Sequence, residues 1–174
     1  ILGYNEKSLA PFDGINIYMK TSQDFDSEEG CMDYVTLFEA ARENAGEDVS
    51  ISASIPPGYA ASNIEKIAPL VDLFVVRAYD REKKDLISKS DIVDAVALEM
   101  GEIRGANSKG IIEISVKEGF EDKYSIQNLF AALTKYYAGD SAFMGVSISD
   151  YNTYKDLPVK TEKKSVLPGF EMLS

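Results

Sequence analysis

The sequence predicts an α/β protein whose βα units wrap a parallel sheet into a barrel-like arrangement, and three observations carry that prediction. From Gly14 onward, short β-branched runs alternate with amphipathic helical stretches, the pattern of a parallel sheet with crossover helices. Within the strands, polar residues recur at every second position beside a hydrophobic set, so one sheet face is polar. The composition, 45% hydrophobic and 27% charged over 174 residues, is that of one globular domain with a full core.

Five strands are read, at Gly14 to Met19, Val49 to Ile55, Leu73 to Ala78, Gly110 to Val116 and Phe143 to Ser149. Met32, Val35, Phe38, Ala41 and Ala45 recur at three- and four-residue spacing and predict the first helix, with Gly46 as its stop. A short second helix is expected from Ser62, where Ser62 and Glu65 have capping-box spacing. Val93, Val96, Met100 and Ile103 form the stripe of a third helix, with Ser88 and Asp91 at its start and Gly105 just beyond its end. A fourth begins near Ser125 and buries Leu129, Leu133 and Tyr136.

The alternation within strands separates a barrel from an open doubly wound sheet. Asn16, Tyr18 and Lys20 share one face while Ile15, Ile17 and Met19 share the other; Glu113, Ser115 and Lys117 oppose Ile112, Ile114 and Val116; Ser147 and Ser149 oppose Val146 and Ile148. A doubly wound sheet is covered by helices on both faces and its strands read as continuous apolar runs, so a persistent polar face argues for a barrel with a hydrated or ligand-bearing interior. The alternative is a complete five-stranded open α/β domain, whose right-handed crossovers would all have to lie on one side.

Charge and composition exclude several chemistries. With 18 Lys+Arg against 29 Asp+Glu the net charge is −11, so no uniform basic surface serves nucleic acid or anionic lipid. The chain has no histidine and a single cysteine, Cys31, which removes intrachain disulfides, histidine or multi-thiolate metal sites, and Ser-His or Cys-His catalytic pairs. Acid–base chemistry falls to carboxylates, Lys or Tyr. The acidic stretch Asp24, Asp26, Glu28 and Glu29 has no calcium-loop spacing and reads as a solvated charge run, so no metal and no cofactor is expected.

Three stretches in order resemble glycoside hydrolase family 18, the chitinase-like TIM barrels. Phe12-Asp13-Gly14-Ile15-Asn16-Ile17-Tyr18-Met19-Lys20 is similar to that family's fourth-strand signature, Phe-Asp-Gly-Ile-Asp-Ile-Asp-Trp-Glu. Ile51-Ser52-Ala53-Ser54-Ile55-Pro56-Pro57 resembles its fifth strand, and Val71 to Asp80, ending Arg77-Ala78-Tyr79-Asp80, its sixth. Phe143 to Asp150 then stands as the closing eighth strand. The resemblance implies that residues 1–156 hold the C-terminal five strands of a barrel, strands four to eight, with an N-terminal portion or another chain completing it.

In the family, the last acid of the fourth-strand motif protonates the glycosidic oxygen and the acid two residues earlier orients the substrate. Here those positions hold Lys20 and Tyr18. A lysine is mostly ammonium near neutral pH and does not replace a carboxylic acid poised to protonate a leaving group. The resemblance therefore implies a degenerate member that binds carbohydrate or serves a structural role, or else an active hydrolase with relocated carboxylates, for which Asp80, Glu113, Glu118 and Asp150 are the candidates.

On the barrel reading the site lies at the C-terminal ends of the strands. The expected ligand-binding residues are Tyr18, Lys20, Tyr59, Arg77, Tyr79, Asp80, Glu113 and Asp150, and the expected partner is a carbohydrate or glycan, since a tyrosine ring packs on the C–H face of a pyranose while its hydroxyl hydrogen-bonds. For Lys20, Arg77 and Glu113, which all point inward in this register, a structural ion-pair network is the competing expectation.

Residues 157–174 change character and read as a flexible C-terminal tether, polar and Lys-rich up to Pro168-Gly169-Phe170-Glu171. That ending resembles the Pro-Gly-Phe sorting motif which precedes a membrane segment in archaeal surface proteins. The resemblance implies an extracellular or cell-surface location, with membrane contact only through a C-terminal anchor that lies beyond this chain.

Overall fold

The computed structural model describes residues 7, 9, 12–18, 28–46, 48–56, 58–78, 92–117 and 120–159, the side chains of 28–31 excepted. Its strands are β1 (Gly14–Tyr18), β2 (Ser50–Ile55), β3 (Leu73–Arg77), β4 (Gly110–Ile114) and β5 (Phe143–Ile148), each within a residue or two of the β-branched run that predicts it. Between and after them lie helices α1 (Glu28–Ala45), α2 (Ala61–Ile67), α3 (Ile92–Ala95), α4 (Ala97–Gly105), α5 (Lys123–Tyr136) and α6 (Tyr151–Asp156), with a 3-10 turn at Ala68–Leu70.

All neighbouring strands are parallel and the sheet order is β1-β2-β3-β4-β5, the order of the chain. Because right-handed crossovers that always step in the same direction place every helix on one face, this order is the winding of a (β/α) barrel rather than of a doubly wound sheet. Burial agrees with it. Ile51, Ala53, Ile55, Phe74, Val76, Ile112 and Ile114 are all 0–1% exposed on the helix side, against Phe38, Ile64, Ile67, Met100, Ile103 and Leu133. On the opposite parity, Asn16 and Tyr18 are exposed, Ser52, Val75, Ile111, Glu113 and Ser147 half-buried, and Ser54 and Arg77 buried. Among the described residues the five strands form one sheet with β1 and β5 at its edges.

Helix ends depart from the sequence reading where side-chain chemistry intervenes. Gly46 does stop α1, with φ +82 that a glycine adopts without strain, but Met32 is half exposed and Tyr34 packs against the core instead. The expected capping box at Ser62 does not form: α2 starts one residue earlier, with Ala60 at its N-cap and no side-chain cap. Residues 88 and 91, expected at the start of the third helix, lie outside the described residues. The helix itself is two pieces broken at Val96, and Gly105 is its last residue rather than the one beyond. The break has a partner. The Tyr137 hydroxyl donates to the Val93 carbonyl at 3.2 Å, the acceptor a continuous helix would offer to Ala97. Tyr137 is buried in place of the expected Tyr136, which is 63% exposed.

Gly110, opening β4, lets α4 come close: a Cβ there would meet Met100 Sδ at 3.2 Å and Ile103 Cδ1 at 3.4 Å. At the N-terminal end of the sheet, Arg42 of α1 donates to the Leu70 carbonyl at 3.2 Å and to Asp72 Oδ2 at 2.8 Å, and the same carboxylate accepts the Ile51 N–H at 2.8 Å. These bonds fasten α1 to β2 and β3. Past α6 the chain is still held, since Lys123 N–H donates to the Pro158 carbonyl at 3.0 Å and Leu157 packs against the core. Residues 160–174 of the expected tether lie outside the described residues. Among the described residues no helix is long and apolar enough to cross a membrane.

Candidate functional site at the helix-free sheet face

Among the described residues the sheet face opposite the helices is polar on β1 and β2 and at Arg77, Glu113 and Ser147, and apolar at Leu73, Val75 and Ile111. In register, Asn16 lies beside Ser52 and Tyr18 beside Ser54, and toward the strand ends Arg77 lies beside Glu113 and Glu113 beside Ser147. Asn16 joins the first two strands: Ser52 Oγ donates to Asn16 Oδ1 at 2.9 Å, and Asn16 Nδ2 donates to Ser54 Oγ at 2.9 Å. These are neutral groups, each with further donor or acceptor capacity.

Arg77 is fully buried, at 0% exposed. A buried guanidinium needs partners for its donors, and β1 and β2 supply them: Nε donates to the Ile55 carbonyl at 3.2 Å, and Nη1 to the Tyr18 hydroxyl. The guanidinium carbon also lies 4.1 Å from the Tyr18 ring centroid, a cation–π approach. Tyr18, from β1, thereby reaches across β2 to β3, with its ring 38% exposed. Glu113 occupies the next position in the row.

At the C-terminal ends of β4 and β5, Asp150 caps α6. It accepts the Thr153 N–H at 3.1 Å and pairs with Lys117 Nζ at 3.3 Å. The Thr153 backbone bond, and after it the Thr153 and Lys117 side chains, outweigh burial and hold the Asp150 carboxyl below its ordinary value of 3.8.

Of the eight residues the sequence proposes, the structure gathers Tyr18, Arg77 and Glu113 on one face and sets Asp150 at the adjoining strand ends. Tyr59 is elsewhere: it is 3% exposed and packs into the apolar core, so its ring face is not open to a sugar. Lys20, Tyr79 and Asp80 lie outside the described residues, as does Glu118 among the relocated-acid candidates, so the proposed network of Lys20, Arg77 and Glu113 is described only at its last two members. The residues that the sequence reading left out of the site are Asn16, Ser52 and Ser54, the last of them buried. The signal for the two serines was the same two-residue alternation, in the run Ser50-Ile51-Ser52-Ala53-Ser54.

No protein-family model and no curated protein matches the sequence. Among solved structures the chain is similar to the crystal structure of a provisionally named phosphonomutase from Burkholderia cenocepacia J2315, at 14% identity and a TM-score of 0.48, over 68% of this chain and 51% of that one. The chain thus spans about half the length of that structure. The fold assignment rests on strand order and the placement of helices rather than on this likeness.

Proposed function

We propose that the sheet face opposite the described helices binds a neutral carbohydrate, with Asn16 and Ser52 hydrogen-bonding its hydroxyls and the Tyr18 ring packing on a sugar face. The observation that carries the reading is the pair of accessible uncharged side chains, Asn16 on β1 and Ser52 on β2, backed by the buried Ser54 hydroxyl and lying beside an aromatic ring held by Arg77. The chitinase-like pattern of residues 12–20, 51–57 and 71–80 supports the same class of ligand. Display at an archaeal cell surface, suggested by Pro168-Gly169-Phe170, belongs to this proposal.

Binding without hydrolysis is the form of the proposal we favour. Lys20 stands at the acid position of the chitinase-like motif, and Asp150 is held ionised by Thr153 and Lys117, unsuited to protonate a leaving group. A hydrolase would also require two carboxyls roughly 5–9.5 Å apart across the sugar.

A glycan array probed with the intact chain tests the proposal. Binding to neutral oligosaccharides, weakened about tenfold or more by Asn16→Ala and by Tyr18→Ala with folding retained, is the expected outcome. Absence of binding to every neutral glycan, or binding indifferent to both substitutions, contradicts it. Hydrolysis of chitobiose glycosides abolished by Glu113→Gln would replace the binding reading with that of a relocated-acid hydrolase.

A further inference from the structure

Away from this face, helix α4 carries a carboxylate pair that the site does not use. Glu99 is 1% exposed, and its Oε1 accepts the backbone N–H of Gly58 at 2.6 Å. Gly58 belongs to the loop joining β2 to α2, at the C-terminal end of the sheet, so this bond fastens a rim loop to a helix that lies beyond the next strand, β3, in the chain. The other oxygen of Glu99 and one oxygen of Glu102 are both enclosed, and neither meets a hydrogen-bond donor.

Three residues apart on one helix, Glu99 and Glu102 are neighbours on the same face. Glu65 from α2 acts on Glu102, and Tyr137 at the end of α5 feels both Glu99 and Asp94 from α3; none of these groups is cationic. Among the described residues, none of the ion pairs involves Glu65, Glu99 or Glu102. Two enclosed acceptors without a donor are costly, and a single proton between them supplies the missing bond.

We infer that Glu102 and Glu99 share one proton, Glu102 donating through its enclosed oxygen to that of Glu99, and that the pair latches the β2–α2 loop onto α4 in mild acid and loosens it as pH rises. When the pH rises the proton leaves Glu102 for solvent, and two adjacent desolvated carboxylates then repel at the point where Glu99 holds Gly58. The electrostatics agree in direction: burial first, then the charges of Glu99 and Glu65, push the Glu102 carboxyl above its ordinary value of 4.5. A carboxyl raised on folding contributes stability that is complete below its unfolded value and is lost as pH climbs through the folded one.

Hydrogen exchange of the Gly58 amide in the intact protein, corrected for intrinsic rate, tests the latch between about pH 5 and about pH 8. The expected result is a several-fold fall in protection for wild type and no fall for Glu102→Gln, whose side-chain N–H donates to Glu99 at any pH. Constant protection in wild type, or a fall that survives in Glu102→Gln, overturns the inference. Should Glu102→Gln fail to fold, the carboxyl carbon resonance of Glu102 in wild type decides. A midpoint above the ordinary glutamate value supports the shared proton, and an ordinary midpoint rejects it.

Discussion

Arg77 shows how a single side chain organises the candidate site. A guanidinium with no solvent contact has to place its donors on the protein, and the Tyr18 hydroxyl and the Ile55 carbonyl take two of them. Tyr18→Phe removes one acceptor while keeping the ring, so it is expected to cost about 1–2 kcal/mol in urea unfolding. An unchanged midpoint would mean that the hydroxyl does not serve the buried charge. At the opposite end of the sheet, Asp72 gives a pH signature. Burial raises its carboxyl, but the Arg42 hydrogen bond and the Ile51 N–H outweigh burial and set it below 3.8. A carboxyl lowered on folding contributes stability that is present above the unfolded value and lost as pH falls through the folded one. Thermal midpoints of wild type should therefore drop below about pH 4 more steeply than those of Asp72→Asn. Arg42→Ala, which removes the bonds to Leu70 and Asp72 together, is expected to destabilise by about 1–2 kcal/mol near neutral pH.

Among the elements, helix α5 follows its sequence most closely. Asp122 caps it, accepting from the Ser125 N–H at 2.7 Å and from the Ser125 hydroxyl at 2.8 Å, and Ile126, Leu129 and Leu133 form its buried stripe. Asp122→Ala should cost about 1–2 kcal/mol, read by chemical denaturation. The stripe of Val93, Val96, Met100 and Ile103 was equally legible, yet the helix it predicts is interrupted, because periodicity reports which face is buried and carries no information about a hydroxyl arriving from Tyr137, more than forty residues later. Ser62 and Glu65 failed as a capping box for a related reason. The spacing was right, but the chain entered the helix at Ala61 with extended backbone at Ala60, which left Ser62 already inside the first turn.

For the molecule as a whole, strand alternation carried most of what the sequence could reveal. Apolar residues on one parity and polar residues on the other predicted a sheet with helices on a single side, and the order β1-β2-β3-β4-β5 is that arrangement. The same alternation places Tyr18, Arg77 and Glu113 on a common face. It gave no guidance for Tyr59, because a residue in a loop after Pro56-Pro57-Gly58 has no strand parity to orient it, and the ring turned into the core. Nor could it pair Glu99 with Gly58, two residues that meet only because α4 lies over the β2–α2 loop. The proposed ligand site is the sheet face opposite the described helices. Its most direct test is a titration of isotope-labelled protein with neutral oligosaccharides, following backbone amide and side-chain resonances. The expected shifts are concentrated at Asn16, Tyr18 and Ser52 and extend toward Glu113 and Ser147, with the helix-side residues Phe38, Ile64 and Leu133 unmoved. Shifts confined to the helical layer, or none at saturating sugar, would contradict it.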